Sequence, residues 1–355
     1  MVHDAGDWIE SGYKNDLTFN WFYIDDEEIA YFNSGANPVR AEGTHPNFPV
    51  KGKRAFLWED FDPELNTFRR EPIETHPQVR DQRFLTSWNN KQAMGYRDDG
   101  IRGFTSLYRA DPLDDRIKQG TAGAKRMSLV ELVEAMEDAG TVDLRGDRVV
   151  GPALRVIAGP NGINGPRVGA AAETMREWAR SGAHRRDFDD DGSYDHADAV
   201  RIMDAWWPLW VKRQFKPTLG ARLHDAFIGQ GAAIHDAPGA IGSAFQNVVY
   251  GFVDKDLRTI LDRPVQAPYS RVYCGQGERD RCRTVLRNTL LKAADTSFSE
   301  LYGDEGCTLN NGTEASPQMC HDAVNPTDVT VAPVEEFHWI NRPTFQQIVQ
   351  FEDGR

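Results

Sequence analysis

The chain has 355 residues, 40% of them hydrophobic, and a formal net charge of −13 at pH 7. It is long enough for two domains, or one large irregular domain, with a sizeable core. Lys and Arg form no basic cluster, which argues against nucleic-acid binding because phosphate neutralisation supplies most of that affinity. No apolar run approaches the ~20 residues that span a bilayer. The acidic residues gather in short loops, which indicates divalent cations as partners.

The first part of the chain has the patterns of β-structure. Thr18–Ile24 and Ile29–Phe32 are rich in aromatic and β-branched residues and predict the two strands of a hairpin. Pro, Gly, His and Asn between residues 43 and 52 indicate a loop. Further strands are predicted at Phe84–Trp88 and Thr105–Arg109.

From about residue 112 the pattern becomes helical. The Ser128–Glu131 capping box predicts the start of a helix that ends at Gly140. The tryptophans of the 206–210 run are interpreted as part of the core or of a domain contact rather than as a substrate cage. Further helices are predicted at 170–182, 197–214 and 280–302.

These patterns together predict an α+β fold in three parts. A strand-rich core portion covers residues 1–111, a helical lobe covers 112–328, and strands return to the core in residues 329–355.

An Asn-Asn pair follows the strand predicted before it, in the run Trp88-Asn89-Asn90, and Arg109 comes twenty residues after Asn89. Acyl transfer passes through a tetrahedral oxyanion, which a neutral amide N–H such as that of Asn can stabilise. The alternative is a plain turn, because Asn tolerates a left-handed backbone.

The surrounding motifs resemble the penicillin acylase (penicillin amidase) family of N-terminal-nucleophile hydrolases, and they occur in the family's order. The resemblance implies part of an αββα sandwich that carries a helical lobe, with Asn89 donating to the oxyanion and Arg109 helping to position the site. The motifs besides the Trp-Asn-Asn run are Phe32-Asn33-Ser34-Gly35 with Pro38, His45-Pro46-Asn47-Phe48-Pro49, Trp58 and Asn341-Arg342-Pro343-Thr344-Phe345.

The nucleophile of that family is a Ser at a processed N-terminus, whose α-amine acts as the base. This sequence begins with Met1 and contains no G-x-S-x-G elbow that could replace that Ser. We therefore expect the C-terminal part of a β-chain, inactive by itself, whose partners are an α-chain and the N-terminal part of the β-chain. The expected substrate is an N-acyl amide, such as a β-lactam side chain or an acyl-homoserine lactone. The alternative is a non-catalytic extracytoplasmic binding module stabilised by calcium and disulfides.

Residues 187–198 have the spacing of a calcium loop, with Gly192 at position 6 and a predicted helix directly after them. The alternative is a solvated acidic loop that caps this helix. The candidate Ca²⁺ ligands are the oxygen-bearing side chains at positions 1, 3, 5, 7, 9 and 12, namely Asp187, Asp189, Asp191, Ser193, Asp195 and Asp198.

The resemblance implies a second Ca²⁺ site near the active site. Its protein ligands would include a Pro carbonyl and an Asp after the Asn-Asn pair, which correspond to Pro46 and to Asp98 or Asp99. In isolation these could equally be ordinary loop residues.

Four cysteines form two local pairs, Cys274 with Cys282 and Cys307 with Cys320. An even count at short separations favours two disulfides and hence an oxidising, extracytoplasmic compartment. Four reduced thiols are the alternative. Because residues 1–7 lack the features of a signal peptide, we expect the export signal on the upstream part of the enzyme.

Overall fold

The structure of the protein is a computed structural model that describes residues 2–45, 49–88, 93, 96, 110–123, 125–228, 249–309, 312–323 and 347–349. The chain divides into two compact units. Unit 1 consists of Met1–Ala110, Ile117–Leu129 and Gln347–Arg355, and unit 2 consists of Asp111–Arg116 and Val130–Gln346. The three-part division expected from the sequence stays a prediction.

Unit 1 is built on a three-stranded antiparallel sheet in the order β1-β2-β3. Helix α1 (Ala5–Tyr13) precedes it, and short 3₁₀ turns interrupt the loop between its second and third strands. The helix begins at Ala5 because the Asp4 side chain accepts a hydrogen bond from the Asp7 backbone N–H. The strands are β1 (Asn20–Ile24), β2 (Ile29–Asn33) and β3 (Gln78–Arg80).

The hairpin predicted from the sequence is confirmed, with Asn20 opposite Asn33 and Ile24 opposite Ile29. Asp25 forms its turn, because one carboxylate oxygen accepts the backbone N–H groups two and three residues further on, at 2.8 and 2.7 Å.

The strand predicted at Phe84–Trp88 is wrong, because residues 84–88 join no ladder and the third strand is Gln78–Arg80 instead. Trp88 is nevertheless buried. The apolar residues that gave residues 84–88 their strand-like pattern therefore pack in an irregular conformation. The strand predicted at Thr105–Arg109 lies outside the described residues, as does nearly all of the predicted C-terminal strand region.

Within the residues that the structure describes, unit 2 consists of helices and one small two-stranded sheet, and the residues of α2 are divided between the two units. The helices predicted at 170–182 and 197–214 are confirmed as α5 and α6, and the one predicted at 280–302 is two helices, α8 and α9. The elements are α2 (Asp111–Gly120), α3 (Leu129–Gly140), a π-helical turn (Arg145–Val150), α4 (Gly151–Ala158), α5 (Pro166–Arg180), α6 (Ala197–Ile228), α7 (Val249–Ile260), α8 (Arg279–Ala294), α9 (Phe298–Tyr302), β4 (Cys307–Thr308), β5 (Glu314–Ala315) and α10 (Pro317–Asp322).

The tryptophans of α6 are part of the unit 2 core, as predicted. Trp206, Trp207 and Trp210 are all buried. The indole N–H of Trp206 donates to the Thr289 hydroxyl on α8 at 2.9 Å, so the aromatic core leaves no unsatisfied donor there. Gly220 breaks α6 near its end with a φ of +73°.

The mixture of helices and small sheets agrees with the α+β class. The αββα layering of the sandwich stays a prediction. None of the helices in the described ranges is both long enough and apolar enough to cross a bilayer.

Candidate functional site

Five residues predicted for the active site and its calcium ion lie outside the described residues, and their roles stay predictions. They are Asn89, Arg109, Pro46, Asp98 and Asp99.

The structure does describe the residues that lead into the Asn-Asn pair. Trp88, directly before Asn89, is only 2% exposed, so the residue that precedes the pair is buried in unit 1. The hydroxyl of Ser87, one residue earlier, accepts a hydrogen bond from the side-chain amide of Asn20 on β1 at 3.2 Å. The approach to the predicted oxyanion donor is therefore anchored to the sheet.

Three of the predicted calcium ligands come together in the loop before α6. One carboxylate oxygen from each of Asp187, Asp189 and Asp191 lies within 4.8 Å of the others. The nearby charge of Asp191 is the largest cause that raises the pKa of Asp189 above its ordinary value. The loop thus concentrates negative charge, which a hard divalent cation would neutralise.

The remaining predicted ligands of this loop make other contacts. The Asp195 carboxylate accepts the backbone N–H of Phe188 at 3.2 Å, and Asp198 pairs with Arg201 in the first turn of α6 at 3.1 Å. Ser193 donates its backbone N–H to the carboxylate at loop position 5, at 2.9 Å. Their part in a metal site stays a prediction.

Gly192 fixes the position of the 187–198 loop, the acidic loop, against β5 and the start of α10. Its φ is +84°, and a Cβ there would lie 2.1 Å from the backbone oxygen of Glu314, so a side chain does not fit. Its carbonyl accepts the backbone N–H of Ser316 at 2.8 Å. The glycine that the calcium-loop pattern places at position 6 therefore also serves the packing of the loop on β5 and α10.

The loop also joins a buried ionic network that sequence reasoning missed. Tyr194, at loop position 8, donates its hydroxyl to Asp322 on α10 at 2.8 Å. Asp322 in turn accepts from the fully buried Arg185 at 2.6 Å. The same guanidinium donates to Asp143 at 3.1 Å and to Asp204 on α6. Arg185 is 42 residues from Asp143 and 137 residues from Asp322, and no local spacing signals their contact.

A second buried arginine, Arg145 in the π-helical turn, pairs with the same Asp143 and Asp204. Burial by itself raises the pKa of Asp143, but the charges of Arg145 and Arg185 outweigh it and hold this pKa below its ordinary value. Asp143 is thus ionised inside the protein, and the network of two guanidinium groups and three carboxylates depends on mutual pairing.

Both predicted disulfides are present, and they differ in exposure. Cys274 and Cys282 are bonded and fully buried. The bond between Cys307 and Cys320 is half-buried and joins β4 to α10. The second bridge therefore closes the segment on which the acidic loop packs.

Comparisons with known proteins agree with this fold. A thermostable penicillin G acylase from Alcaligenes faecalis superposes with a TM-score of 0.63 at 19% identity, over 97% of this chain and 58% of that chain. Penicillin G acylase of Escherichia coli is 25% identical over 210 residues, which cover 58% of this chain and 23% of that protein. The α+β fold is therefore one that a penicillin G acylase shares.

The sequence profile of the penicillin amidase family matches residues 4–331. The chain belongs to the penicillin amidase family, as its motifs predicted. It spans less than two thirds of the length of either relative, since the matches cover 58% of the A. faecalis chain and 23% of the E. coli protein.

Proposed function

We propose that this chain is part of an acylase that hydrolyses the amide bond of an N-acyl substrate. A β-lactam side chain or an acyl-homoserine lactone is the substrate class expected. The observation that carries the proposal is the family match over residues 4–331. In this proposal the nucleophilic Ser and its α-amine come from a segment outside this sequence.

In the proposed mechanism the Ser attacks the substrate carbonyl, and the side-chain N–H of Asn89 donates to the oxyanion that forms. A neutral amide suits this role because it keeps its proton at every working pH. Losing one such donor costs about 3 kcal/mol of transition-state stabilisation. Arg109 helps to position the site. The described environment supports this assignment, because the residue before Asn89 is buried and held in the core of unit 1.

The test uses the complete enzyme, reconstituted from this chain and its upstream polypeptides. Asn89→Ala should lower kcat by roughly 10²–10³ and leave KM nearly unchanged. Asn15→Ala, in the turn after α1, is the matched control and should keep full activity. A kcat of Asn89→Ala within about threefold of the unaltered enzyme contradicts the oxyanion role. Absence of turnover in the complete enzyme supports the alternative function, a non-catalytic binding module.

We further propose that the 187–198 loop binds one Ca²⁺ in a structural role, and that Pro46 with Asp98 or Asp99 contributes to a second ion near the active site. The support for the first site is the convergence of the Asp187, Asp189 and Asp191 carboxylates. Bound calcium would neutralise their repulsion and steady the start of α6, which begins at Ala197.

The calcium proposal is tested by melting curves with Ca²⁺ and with chelator. At a free concentration of ~100 Kd, the ion should add ~2.7 kcal/mol to the stability of the unit that contains the loop. Asp191→Asn should abolish this response. Asp190→Asn is a sharp control, because it changes the same charge in the same loop outside the three-carboxylate cluster. Melting that ignores both Ca²⁺ and chelator contradicts the proposal.

The partner that we propose is the polypeptide carrying the α-chain and the N-terminal part of the β-chain. The hairpin of unit 1 offers a surface for it, because a run of large apolar side chains there is exposed. These side chains are Leu17, Phe19, Trp21, Phe22 and Ile24. If that polypeptide covers them, Phe22→Glu should weaken reconstitution, whereas Leu65→Glu, at an exposed leucine elsewhere in unit 1, should not. Equal effects of the two variants contradict this placement.

We propose an extracytoplasmic location for the enzyme. Two disulfides in one chain support it, because such bonds persist in oxidising compartments. Mass spectrometry of the enzyme from its native cells tests the proposal: four free thiols and recovery in the cytoplasmic fraction contradict it.

A further inference from the structure

Two asparagine side chains of unit 1 bind the chain on either side of Asn89. Asn20, at the start of β1, donates its side-chain N–H to the Ser87 hydroxyl at 3.2 Å. Asn37, which is buried, donates its side-chain N–H to the Tyr96 hydroxyl. Ser87 precedes Asn89 by two residues, and Tyr96 follows it by seven. Both contacts therefore act on the short segment that contains the proposed oxyanion donor.

The amide of Asn20 has one defined orientation. Its oxygen accepts the hydroxyl of Tyr31 at 2.6 Å and the side-chain N–H of Asn33 at 3.0 Å. With the oxygen engaged by two donors on β2, the nitrogen is left to face Ser87. A short strand pair thus holds this donor rigidly.

Asn37 is held by the backbone around it. Its carbonyl accepts the backbone N–H of Glu71 at 2.8 Å. At Gly35 the φ is +131°, and a Cβ would lie 2.5 Å from the Thr18 hydroxyl and 3.4 Å from the Asn37 side-chain oxygen. A side chain at position 35 would therefore collide with Thr18, so the turn that leads into Asn37 requires this glycine.

The burial of Trp88 adds to the restraint that these two hydrogen bonds place on the chain. Trp88 follows Ser87 directly and is only 2% exposed, so Ser87 and Trp88 cannot shift without disturbing the core. An oxyanion donor stabilises the transition state fully only when it is already in place before the reaction. The hydrogen bonds from Asn20 and Asn37 join neutral groups, and so they persist across the working pH range.

We propose that Asn20 and Asn37 are positioning residues, which act through Ser87 and Tyr96 to hold the Asn89 amide where the oxyanion forms. This inference rests on the proposed oxyanion role of Asn89. It gives a positioning role to the polar residues around the Asn33-Ser34-Gly35 motif. Neither the sequence motif nor the fold alone explains why these polar residues are there.

The experiment removes the accepting hydroxyl groups, because Asn20 and Asn37 also support the sheet and the loop. In the complete, processed enzyme, Ser87→Ala and Tyr96→Phe should each lower kcat roughly tenfold, with KM and the melting temperature nearly unchanged. The matched controls are Ser11→Ala and Tyr13→Phe. Each removes a comparable hydroxyl contact in the same unit, to a backbone oxygen at 2.9 and 2.8 Å respectively, and each should keep full kcat.

A double-mutant cycle separates positioning from general support of the fold. Repeated in the Asn89→Ala background, Ser87→Ala and Tyr96→Phe should cause no further loss of kcat, because their target is gone. An undiminished additional loss in that background overturns the inference. Full kcat of both single variants also overturns it while leaving the role of Asn89 intact. Full kcat of Asn89→Ala overturns the proposed function itself, and the inference with it.

Discussion

Replacing Arg185 with Met should destabilise unit 2 strongly, because this side chain neutralises three buried carboxylates. Its guanidinium, fully buried, donates to Asp143 at 3.1 Å, to Asp322 at 2.6 Å and to Asp204. The substitution keeps a long apolar stem and removes only the charge and its donors. Arg145 is then the one guanidinium left among the described partners of Asp143 and Asp204.

The expected loss follows from this geometry. Removing one partner of a buried ion pair costs about 3–5 kcal/mol, because it leaves an uncompensated charge in the interior. For a unit of this size that loss lowers Tm by roughly 6–20 °C. Arg167→Met is the matched control. Its ion pair with Asp295 is exposed to solvent, with 70% of the Arg167 side chain and 58% of the Asp295 side chain accessible, so the loss of stability there should be small.

The pH dependence gives a second, sharper readout. In the unaltered protein the pKa of Asp143 is lowered, so its contribution to stability is present above the unfolded pKa and is lost as the pH falls through the folded pKa. In Arg185→Met the excess negative charge is relieved when a carboxylate takes up a proton. The deficit of the variant relative to the unaltered protein should therefore shrink as the pH is lowered.

The assay is thermal unfolding followed by circular dichroism at several pH values, for the unaltered protein and both variants. If Arg185→Met melts within a degree or two of Arg167→Met, the network contributes little and the reasoning is wrong. A large deficit that stays constant with pH would show that lost packing, rather than unpaired charge, is the cause.

Three other predictions concern the acidic loop and the disulfides. Gly192→Ala should lower stability by more than about 1 kcal/mol, because the left-handed backbone and the contact with Glu314 leave no room for a Cβ; a melting curve like that of the unaltered protein contradicts this. Tyr194→Phe removes a buried hydroxyl donor and should cost roughly 1–3 kcal/mol by chemical denaturation, whereas a loss below about 0.5 kcal/mol would mean that water replaces the bond. Under mild reductant, mass spectrometry should show the half-buried Cys307–Cys320 bridge opening before the buried Cys274–Cys282 bridge, and the opposite order would contradict the exposure argument.

Local sequence determined the features whose interacting residues lie close together in the chain. The hairpin of β1 and β2 follows from a few residues and an acidic turn that satisfies its own backbone N–H groups. The helices at 170–182 and 197–214 follow from apolar periodicity, and the tryptophans of the 206–210 run follow from size and spacing. Each disulfide joins cysteines 8 or 13 residues apart, so their pairing is also a local matter.

Tertiary structure decided the features that depend on distant partners. Arg185 and Asp322 are 137 residues apart, and as isolated charges they are indistinguishable from a solvated helical face until the lobe packs them together. The irregular conformation of residues 84–88 follows from long-range packing, because the same apolar pattern fits a strand equally well. Likewise, the Asn20 amide, 67 residues from Ser87, becomes an anchor for the Asn-Asn pair only once the sheet forms. Periodicity describes which face of an element is buried, but only packing determines which buried groups meet.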